Sequence, residues 1–302
     1  MKMKNKVIAA AALAVVALGL TTPAHAADPK RLVIIDSGVN TQLDWVKKSL
    51  VDEACFIEYG KCPNGQSSMT GLGAANINPA SVNDKAMHHG TQMYSVAVQA
   101  NPNVQVVFIR IVGMSDKGYA NSYTTKAVRL ALDWVAVNAA RLNVGAVSMS
   151  IGRSYKEVGC PSEPDLAASV QKLTAAGIGV FGSAGNDGNK TKVSYPACIP
   201  AVIAVGATDT PYAMRGVAGW VTPVMPSSNG GVDLDLYAMG RWTTRNLSDQ
   251  ASVSLGTSNA TVAVASKATQ ILSEGKSLAS LTENLGKAYI SLKDVILKLF
   301  LI

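Results

Sequence analysis

The chain has 302 residues, of which 48% are apolar and 16% are charged, and its formal net charge is +7. The apolar content and the low charge exclude an intrinsically disordered chain, and the length allows one large domain with a substantial buried core. Lysines and arginines are scattered and aromatic residues are few, which argues against a nucleic-acid partner.

The first 26 residues have the pattern of a secretory signal peptide. A positive start, MKMKNK, precedes a 14-residue apolar stretch and the small-x-small ending Ala24-His25-Ala26. Fourteen residues are too few to cross a hydrocarbon core about 30 Å thick, and no later segment predicts a stable membrane span. We expect cleavage after Ala26 and a secreted protein, periplasmic or extracellular. Cleavage removes three lysines and lowers the net charge from +7 to +4.

Apolar strands alternate with amphipathic helices through most of the remaining chain. This alternation predicts an α/β fold with three layers, a doubly wound and mostly parallel sheet with helices on both faces. In chain order we predict a strand at 31–36, a helix at 89–100, a strand at 104–112, a helix at 121–143, a strand at 144–152, a helix at 163–177, strands at 178–186 and 201–208, and a helix at 258–272.

Two segments have weaker patterns. Residues 53–86 are rich in Gly, Asn, Ser and Pro and predict a long, irregular surface excursion. Residues 276–302 have the pattern of a helical tail that docks on the core.

The four cysteines favour two disulfides, because their number is even and the expected compartment is oxidising. Sequence alone allows three pairings. The spacing suggests Cys55–Cys62 as a local loop and Cys160–Cys198 as a longer tie. There is no CxxC pair, and the two adjacent histidines of the mature chain lack metal-ligand spacing, so we expect no zinc site.

Three short motifs carry candidate catalytic residues. Asp36 ends the first strand in VIIDSGVN, His89 begins a helix in HGTQM, and Ser258 begins another helix in GTSNAT. A serine hydroxyl needs a base, histidine has a suitable pKa of about 6.5, and that base needs an orienting carboxylate. Taken singly, the aspartate could be a turn former, the histidine a core residue and the serine a helix cap. Their conjunction predicts acyl transfer.

The order Asp, His, Ser is that of subtilisin, and the chain resembles the subtilisin-like serine proteases (subtilases) over most of residues 31–272. The motif GSAGNDG (182–188) is similar to the oxyanion-hole segment of that family. The resemblance implies that the side chain of Asn186 and the backbone N–H of Ser258 are the oxyanion donors. It implies a secreted serine endopeptidase that acts on protein or peptide substrates through an acyl-enzyme.

The resemblance also implies a cleft in which the substrate adds as an extended strand. VGAVSMSIG (144–152) is similar to the strand that lines it, and KGYAN (117–121) to the opposite wall. The expected substrate-binding residues are Ser148, Met149, Ser150, Ile151, Gly152 and Gly118. The chemistry requires no cofactor, and we assign no metal-binding residues. Calcium often stabilises this family, but no calcium ligands are assigned.

The chain departs from the family pattern in places. Only about ten residues lie between the expected cleavage site and Asp36, so we expect a single peptidase domain at 27–302 without a propeptide. Val262 stands where the family usually has proline, and Asn259 where methionine is common. These departures keep two alternatives open: a catalytically inactive or divergent peptide-binding protein, and a narrow processing peptidase or esterase. The sequence does not indicate the oligomeric state.

His88 and His89 compete for the role of the base. Successive helix residues point about 100° apart, so both cannot address one serine. His89 precedes Gly-Thr, as the catalytic histidine of the family does, and we assign it as the base. His88 receives no role.

Overall fold

The computed structural model describes residues 28–153, 160, 163–209, 214–216, 219–221, 224–278 and 290–291. The predicted signal peptide lies outside the described residues, as does most of the predicted helical tail. Residues Ile290–Ser291 form a short strand, so the prediction of a helix is wrong at that point.

Thirteen strands and five α-helices are present in the described part of the chain. The strands are β1 (Arg31–Asp36), β2 (Leu50–Phe56), β3 (Ser68–Thr70), β4 (Val106–Arg110), β5 (Val144–Met149), β6 (Gly179–Ser183), β7 (Ile203–Thr208), β8 (Met214–Gly216), β9 (Gly219–Val221), β10 (Leu236–Met239), β11 (Arg241–Arg245), β12 (Ala251–Leu255) and β13 (Ile290–Ser291). The helices are α1 (Asp44–Lys47), α2 (His89–Ala100), α3 (Thr125–Asn138), α4 (Pro164–Ala175) and α5 (Thr257–Ser273).

Nine of these strands form one sheet in the order β13-β10-β7-β6-β5-β1-β4-β2-β3. The seven strands from β10 to β2 are parallel, and antiparallel β13 and β3 lie at the two edges. β8 pairs with β9 and β11 pairs with β12 as two separate hairpins. β1 lies inside the parallel region, so the carboxyl ends of its neighbours surround its last residue.

The alternating side chains of β1 supply two hydrophobic cores. Leu32 and Ile34 pack on the face covered by α2 and α5, together with side chains such as Val262. Val33 and Ile35 pack on the opposite face, which α3 and α4 cover. All four β1 side chains are fully buried, as expected for a strand covered on both faces. The predicted three-layer α/β fold is confirmed.

The predicted element positions are largely correct. The strand at 31–36 and the helix at 89–100 have the predicted bounds, and α5 extends one residue beyond the predicted helix at each end. The other predicted elements are shorter than predicted by a few residues at one or both ends. The prediction of an irregular excursion at 53–86 is wrong for β3, which pairs with β2, and for the last residues of β2, which pairs in parallel with β4. The polar pair Asp52 and Glu53 interrupts the apolar pattern there. Glu53 is nevertheless buried, because its carboxylate accepts the backbone N–H groups of Gly73 at 2.8 Å and Ala75 at 3.0 Å.

Both suggested disulfides are present. Cys55 and Cys62 close the loop that follows β2, with their Cα atoms 6.0 Å apart. Cys160 and Cys198 join the segment before α4 to the turn before β7, with their Cα atoms 5.6 Å apart.

Candidate active site

Asp36 lies at the carboxyl end of β1 and is 1% exposed. Its Oδ1 accepts the backbone N–H of Ser37 at 2.6 Å, which fixes the carboxylate on its own turn. Both oxygens also face His89, whose Nδ1 lies 2.8 Å from Oδ1 and 3.0 Å from Oδ2. With Nδ1–H donating, the other ring nitrogen, Nε2, is the basic one.

His89 is the first residue of α2, and the turn after β1 positions this helix start. The backbone N–H of Gly90 donates to Ser37 Oγ at 3.0 Å. A Cβ at residue 90 would collide with the carbonyl oxygen of Gly38, so glycine is required for this approach. The two segments that carry Asp36 and His89 are therefore packed backbone against backbone.

The pKa of His89 is raised above its ordinary value of 6.5. Burial lowers this pKa, because it disfavours the charged ring, but the Asp36 carboxylate and its hydrogen bond raise it by more. The side chain is about one third exposed, so the ring remains open toward solvent. The arrangement stabilises the imidazolium that a general base becomes after it takes a proton.

Ser258 lies in the first turn of α5, where a backbone N–H has no intrahelical acceptor. Its Oγ donates to the carbonyl oxygen of Ser150 at 3.3 Å, and Ser150 Oγ donates back to the Ser258 carbonyl oxygen at 2.9 Å. Ser150 directly follows β5, whose Met149 pairs with Ile35 of β1. Ser258 therefore lies at the same carboxyl edge of the sheet as Asp36. Within the described residues, no hydrogen bond joins Ser258 to His89.

Asn186 follows β6 and lies against the residue that precedes Ser258. Its Oδ1 accepts the backbone N–H of Thr257 at 2.9 Å and the Thr257 hydroxyl at 3.2 Å. These bonds orient the amide and leave its Nδ2 for a different acceptor. Gly256 has φ +143°, and a Cβ there would lie 3.1 Å from Asn186 Oδ1, so glycine permits this approach.

The six predicted substrate-binding residues differ in their access to solvent. Ser148 and Met149 lie within β5 without exposed surface, and Ser150 and Ile151 are largely buried. Gly152 is exposed. Gly118 is buried against the opposite loop, where its carbonyl oxygen accepts the backbone N–H of Asn83 at 2.9 Å. The backbone after β5 is thus the part of this set nearest to open surface.

Sequence reasoning assigned no role to His88, and the structure shows what it contacts. Its Nδ1 accepts the backbone N–H of Leu247 at 3.3 Å. Leu247, in the turn between β11 and β12, is fully buried, and its carbonyl oxygen accepts Asn40 Nδ2 at 2.8 Å. Burial lowers the pKa of His88, which favours the neutral ring that can accept this bond. His88 thus holds the hairpin that leads to Ser258.

Three further residues shape the site and were missed as well. Ser37 and Thr257 flank the predicted residues, and only the short motifs around Asp36 and Ser258 could have pointed to them. Asn259 is buried and donates to the carbonyl oxygen of Gly240 at 2.9 Å, which ties the start of α5 to the junction between β10 and β11.

Among the described residues, no three His, Cys, Asp or Glu side chains form a group that could hold a metal ion. None of the helices in these residues has the length and apolarity needed to cross a bilayer.

Known proteins resemble this chain in sequence and in fold. The chain is 29% identical over 221 residues to Subtilisin DY of Bacillus licheniformis, which covers 69% of this chain and 72% of the relative. It is 27% identical over 199 residues to Subtilisin-like protease 3 of Pseudogymnoascus destructans, covering 63% of this chain but only 42% of that longer relative.

A solved structure agrees with these relatives. The crystal structure of a cold adapted subtilisin-like serine proteinase superposes with a TM-score of 0.59 at 23% identity, covering 86% of this chain and 79% of that one. A likeness at this identity supports the fold alone. The model of the Subtilase family matches residues 31–298, which is most of the sequence. The chain belongs to the subtilase family.

Proposed function

We propose that the protein is a secreted serine endopeptidase that hydrolyses peptide bonds through an acyl-enzyme. One observation carries the proposal: the buried carboxylate of Asp36 orients His89 at 2.8 Å, at the sheet edge where α5 presents Ser258. Membership of the subtilase family supports the same chemistry. The signal-peptide pattern and the two disulfides support secretion.

The proton transfers follow from the tautomer of His89. Ser258 Oγ attacks the substrate carbonyl while His89 Nε2 takes its proton, and Asp36 stabilises the resulting imidazolium. The hydroxyl must first leave the carbonyl oxygen of Ser150 by rotation about χ1. That bond is long, at 3.3 Å, and is therefore readily exchanged. His89 then gives the proton to the leaving amine, and a water repeats the cycle to release the acid.

The negative oxygen of the tetrahedral intermediate needs donors that are already in place. Asn186 Nδ2 is one, because Thr257 occupies the other end of the amide. The backbone N–H of Ser258 is the second, since it has no intrahelical partner. Donors of this kind stabilise the transition state more than the ground state. The substrate itself would extend along the backbone after β5, as an added strand.

The test is covalent labelling with a fluorophosphonate, which reacts only with an activated serine. We expect labelling of the wild-type chain at Ser258 and none in Ser258→Ala. Ser252→Ala is the matched control, because this exposed serine lies in the adjacent β12 and takes no part in the site. Absence of labelling in folded wild-type protein would contradict the proposal.

A second candidate is a peptide-binding protein that does not hydrolyse its ligand. The bond from Ser258 Oγ to the Ser150 carbonyl oxygen, with no bond to His89 among the described residues, favours it. This alternative predicts that a casein-derived peptide binds saturably, remains intact by mass spectrometry and leaves Ser258 unlabelled. The enzyme proposal predicts cleavage of the same peptide.

A further inference from the structure

Arg110 is a buried cation that has no anionic partner among the described residues. It is the last residue of β4 and is 5% exposed. Its Nε donates to the carbonyl oxygen of Val112 at 3.0 Å and its Nη1 to the carbonyl oxygen of Asn76 at 3.2 Å. Both acceptors are neutral, and a guanidinium carries more N–H donors than these two bonds use. Across the described residues, no carboxylate oxygen lies within 4.0 Å of its nitrogen atoms.

The residues beside Arg110 in the sheet offer it no free carboxylate. Arg110 pairs with Asp36 on one side and with Cys55 on the other. The carboxylate of Asp36 already accepts hydrogen bonds from the backbone N–H of Ser37 and from His89 Nδ1. Burial lowers the pKa of Arg110 to about 10, so the guanidinium stays charged at neutral pH. A buried charge of this kind is costly unless something compensates it.

Arg110 lines an open cavity of about 610 Å³, which falls in the usual range for small-ligand sites. The disulfide loop after β2, residues 76–81 and residues 114–121 form its walls. Asn121 Nδ2 joins the last of these walls to the disulfide loop by donating to the carbonyl oxygen of Tyr59 at 3.0 Å. A Cβ at Gly113 would collide with that same carbonyl oxygen, so glycine lets the walls meet. The other polar lining residues include Lys61, Asn76, Asn78, Ser115 and Asp116.

The charges around this cavity match a singly charged anion. Arg110 and Lys61 are positive, and Asp116 is the opposing acid. Lys61 and Asp116 are exposed, so water and salt screen both of them, whereas Arg110 is largely shielded. Among the charged groups that line the cavity, the guanidinium is therefore the one least screened by solvent, and its planar donor fork matches a carboxylate.

We propose that this cavity binds a carboxylate group on Arg110, at a site separate from the proposed catalytic residues. The expected source is an acidic side chain of a peptide, because Asn121, which lines the cavity, is the last residue of the segment 117–121 that we expect to border the substrate cleft. A free inorganic oxyanion offers related chemistry, and the experiment distinguishes the two sources.

The experiment is an NMR titration of the full chain labelled with ¹⁵N-arginine. The side-chain Nε–H resonances of the arginines report binding. The probes are N-acetylglutamate amide, its uncharged partner N-acetylglutamine amide, and sodium sulfate, all at matched ionic strength. We expect N-acetylglutamate amide to move one arginine resonance saturably, with little effect from the glutamine compound. Saturation by sulfate but not by the glutamate compound would instead assign the site to a free oxyanion and overturn the peptide source.

Variants identify the residue that binds. Arg110→Met should weaken binding at least about tenfold, because a charge-assisted pair is lost. Arg31→Met is the matched control, since this half-buried arginine lies at the opposite end of β1, and it should leave the affinity unchanged. Lys61→Gln should weaken binding about threefold by removing one exposed charge. Lys48→Gln, an exposed lysine outside the cavity, should not.

The proposal is overturned if wild-type protein shows no saturable shift with either anion, or if Arg110→Met binds as tightly as wild type. If Arg110→Met does not fold, the wild-type titrations and the comparison of Lys61→Gln with Lys48→Gln still test whether the cavity binds the anion. The readout measures binding and does not require peptide hydrolysis. It therefore tests the anion site independently of the proposed enzyme activity.

Discussion

The hydroxyl of Ser37 lies between the two chain segments that carry Asp36 and His89. It accepts the backbone N–H of Gly90 at 3.0 Å and donates to the carbonyl oxygen of Met87 at 3.3 Å. The residue after Asp36 therefore fixes the first turn of α2. The pairing of carboxylate and imidazole depends on this neighbour as well as on the two side chains themselves.

We expect Ser37→Ala to lower kcat by about tenfold with a small change in KM, because the start of α2 loses a bond and His89 loses some of its orientation. Ser37→Thr keeps the hydroxyl and should restore most of the rate. Steady-state kinetics on a chromogenic peptide measure both. If the alanine and threonine variants were equally slow, the loss would come from packing rather than from the hydrogen bond.

The two adjacent histidines should behave differently. His89→Ala should lower kcat by about 10³-fold or more, because the proposed base is lost. His88→Ala should retain most of the activity and lower the free energy of unfolding by about 1–2 kcal/mol, since the buried N–H of Leu247 loses its acceptor. Casein hydrolysis and urea unfolding separate the two effects. The reverse pattern would show that the catalytic histidine has been assigned wrongly.

The raised pKa of His89 sets the pH dependence of activity. The neutral ring is the base, so kcat/KM should rise with pH through an apparent pKa above 6.5. Asp36→Asn removes the charge that raises this pKa, so the acidic limb should move to lower pH while kcat falls by about 10⁴-fold. The pH profile of His88→Ala serves as the control and should keep the wild-type midpoint.

The contribution of the Asp36–His89 pair to folding stability should decrease as the pH rises, whereas kcat/KM should increase. A pKa that is raised in the folded state means that folding favours the protonated ring. Its stabilising contribution is complete below the unfolded pKa of about 6.5 and is lost as the pH rises through the folded value. Wild type should lose more unfolding free energy between pH 6 and pH 9 than His89→Gln does. Equal losses in the two proteins would contradict the direction of the shift.

The amide of Asn186 should matter through its Nδ2 group. Asn186→Ala should lower kcat by about 10²–10³-fold with little change in KM, as expected for a donor used in the transition state. Thr257→Val removes the hydroxyl that bonds Asn186 Oδ1 and also accepts the Gly185 N–H at 3.2 Å. We expect a smaller loss, about tenfold, because the backbone N–H of residue 257 still holds the amide. Thr243→Val, on the exposed side of β11, is the control. An Asn186→Ala loss confined to KM would argue against the oxyanion role.

Local patterns were sufficient for much of this fold. The helix at 89–100 ends at Asn101-Pro102, and the β-branched run at 31–36 stops at Ser-Gly, so both had clear boundaries. β2 was missed because burial of Glu53 depends on backbone N–H groups some twenty residues further along the chain. The bond between His88 and Leu247 spans 159 residues and has no local signature. The isolation of Arg110 likewise depends on which side chains the folded sheet brings near it.

The residues of the candidate site are also synthesised at very different times. Asp36 and His89 lie within the first third of the sequence, whereas Ser258 follows His89 by 169 residues. The hairpin that His88 and Asn40 hold through Leu247 leads directly to Ser258. During synthesis the oriented imidazole can therefore form well before the serine emerges. Contacts of such long range form late and slowly, so completion of the site should coincide with completion of the fold.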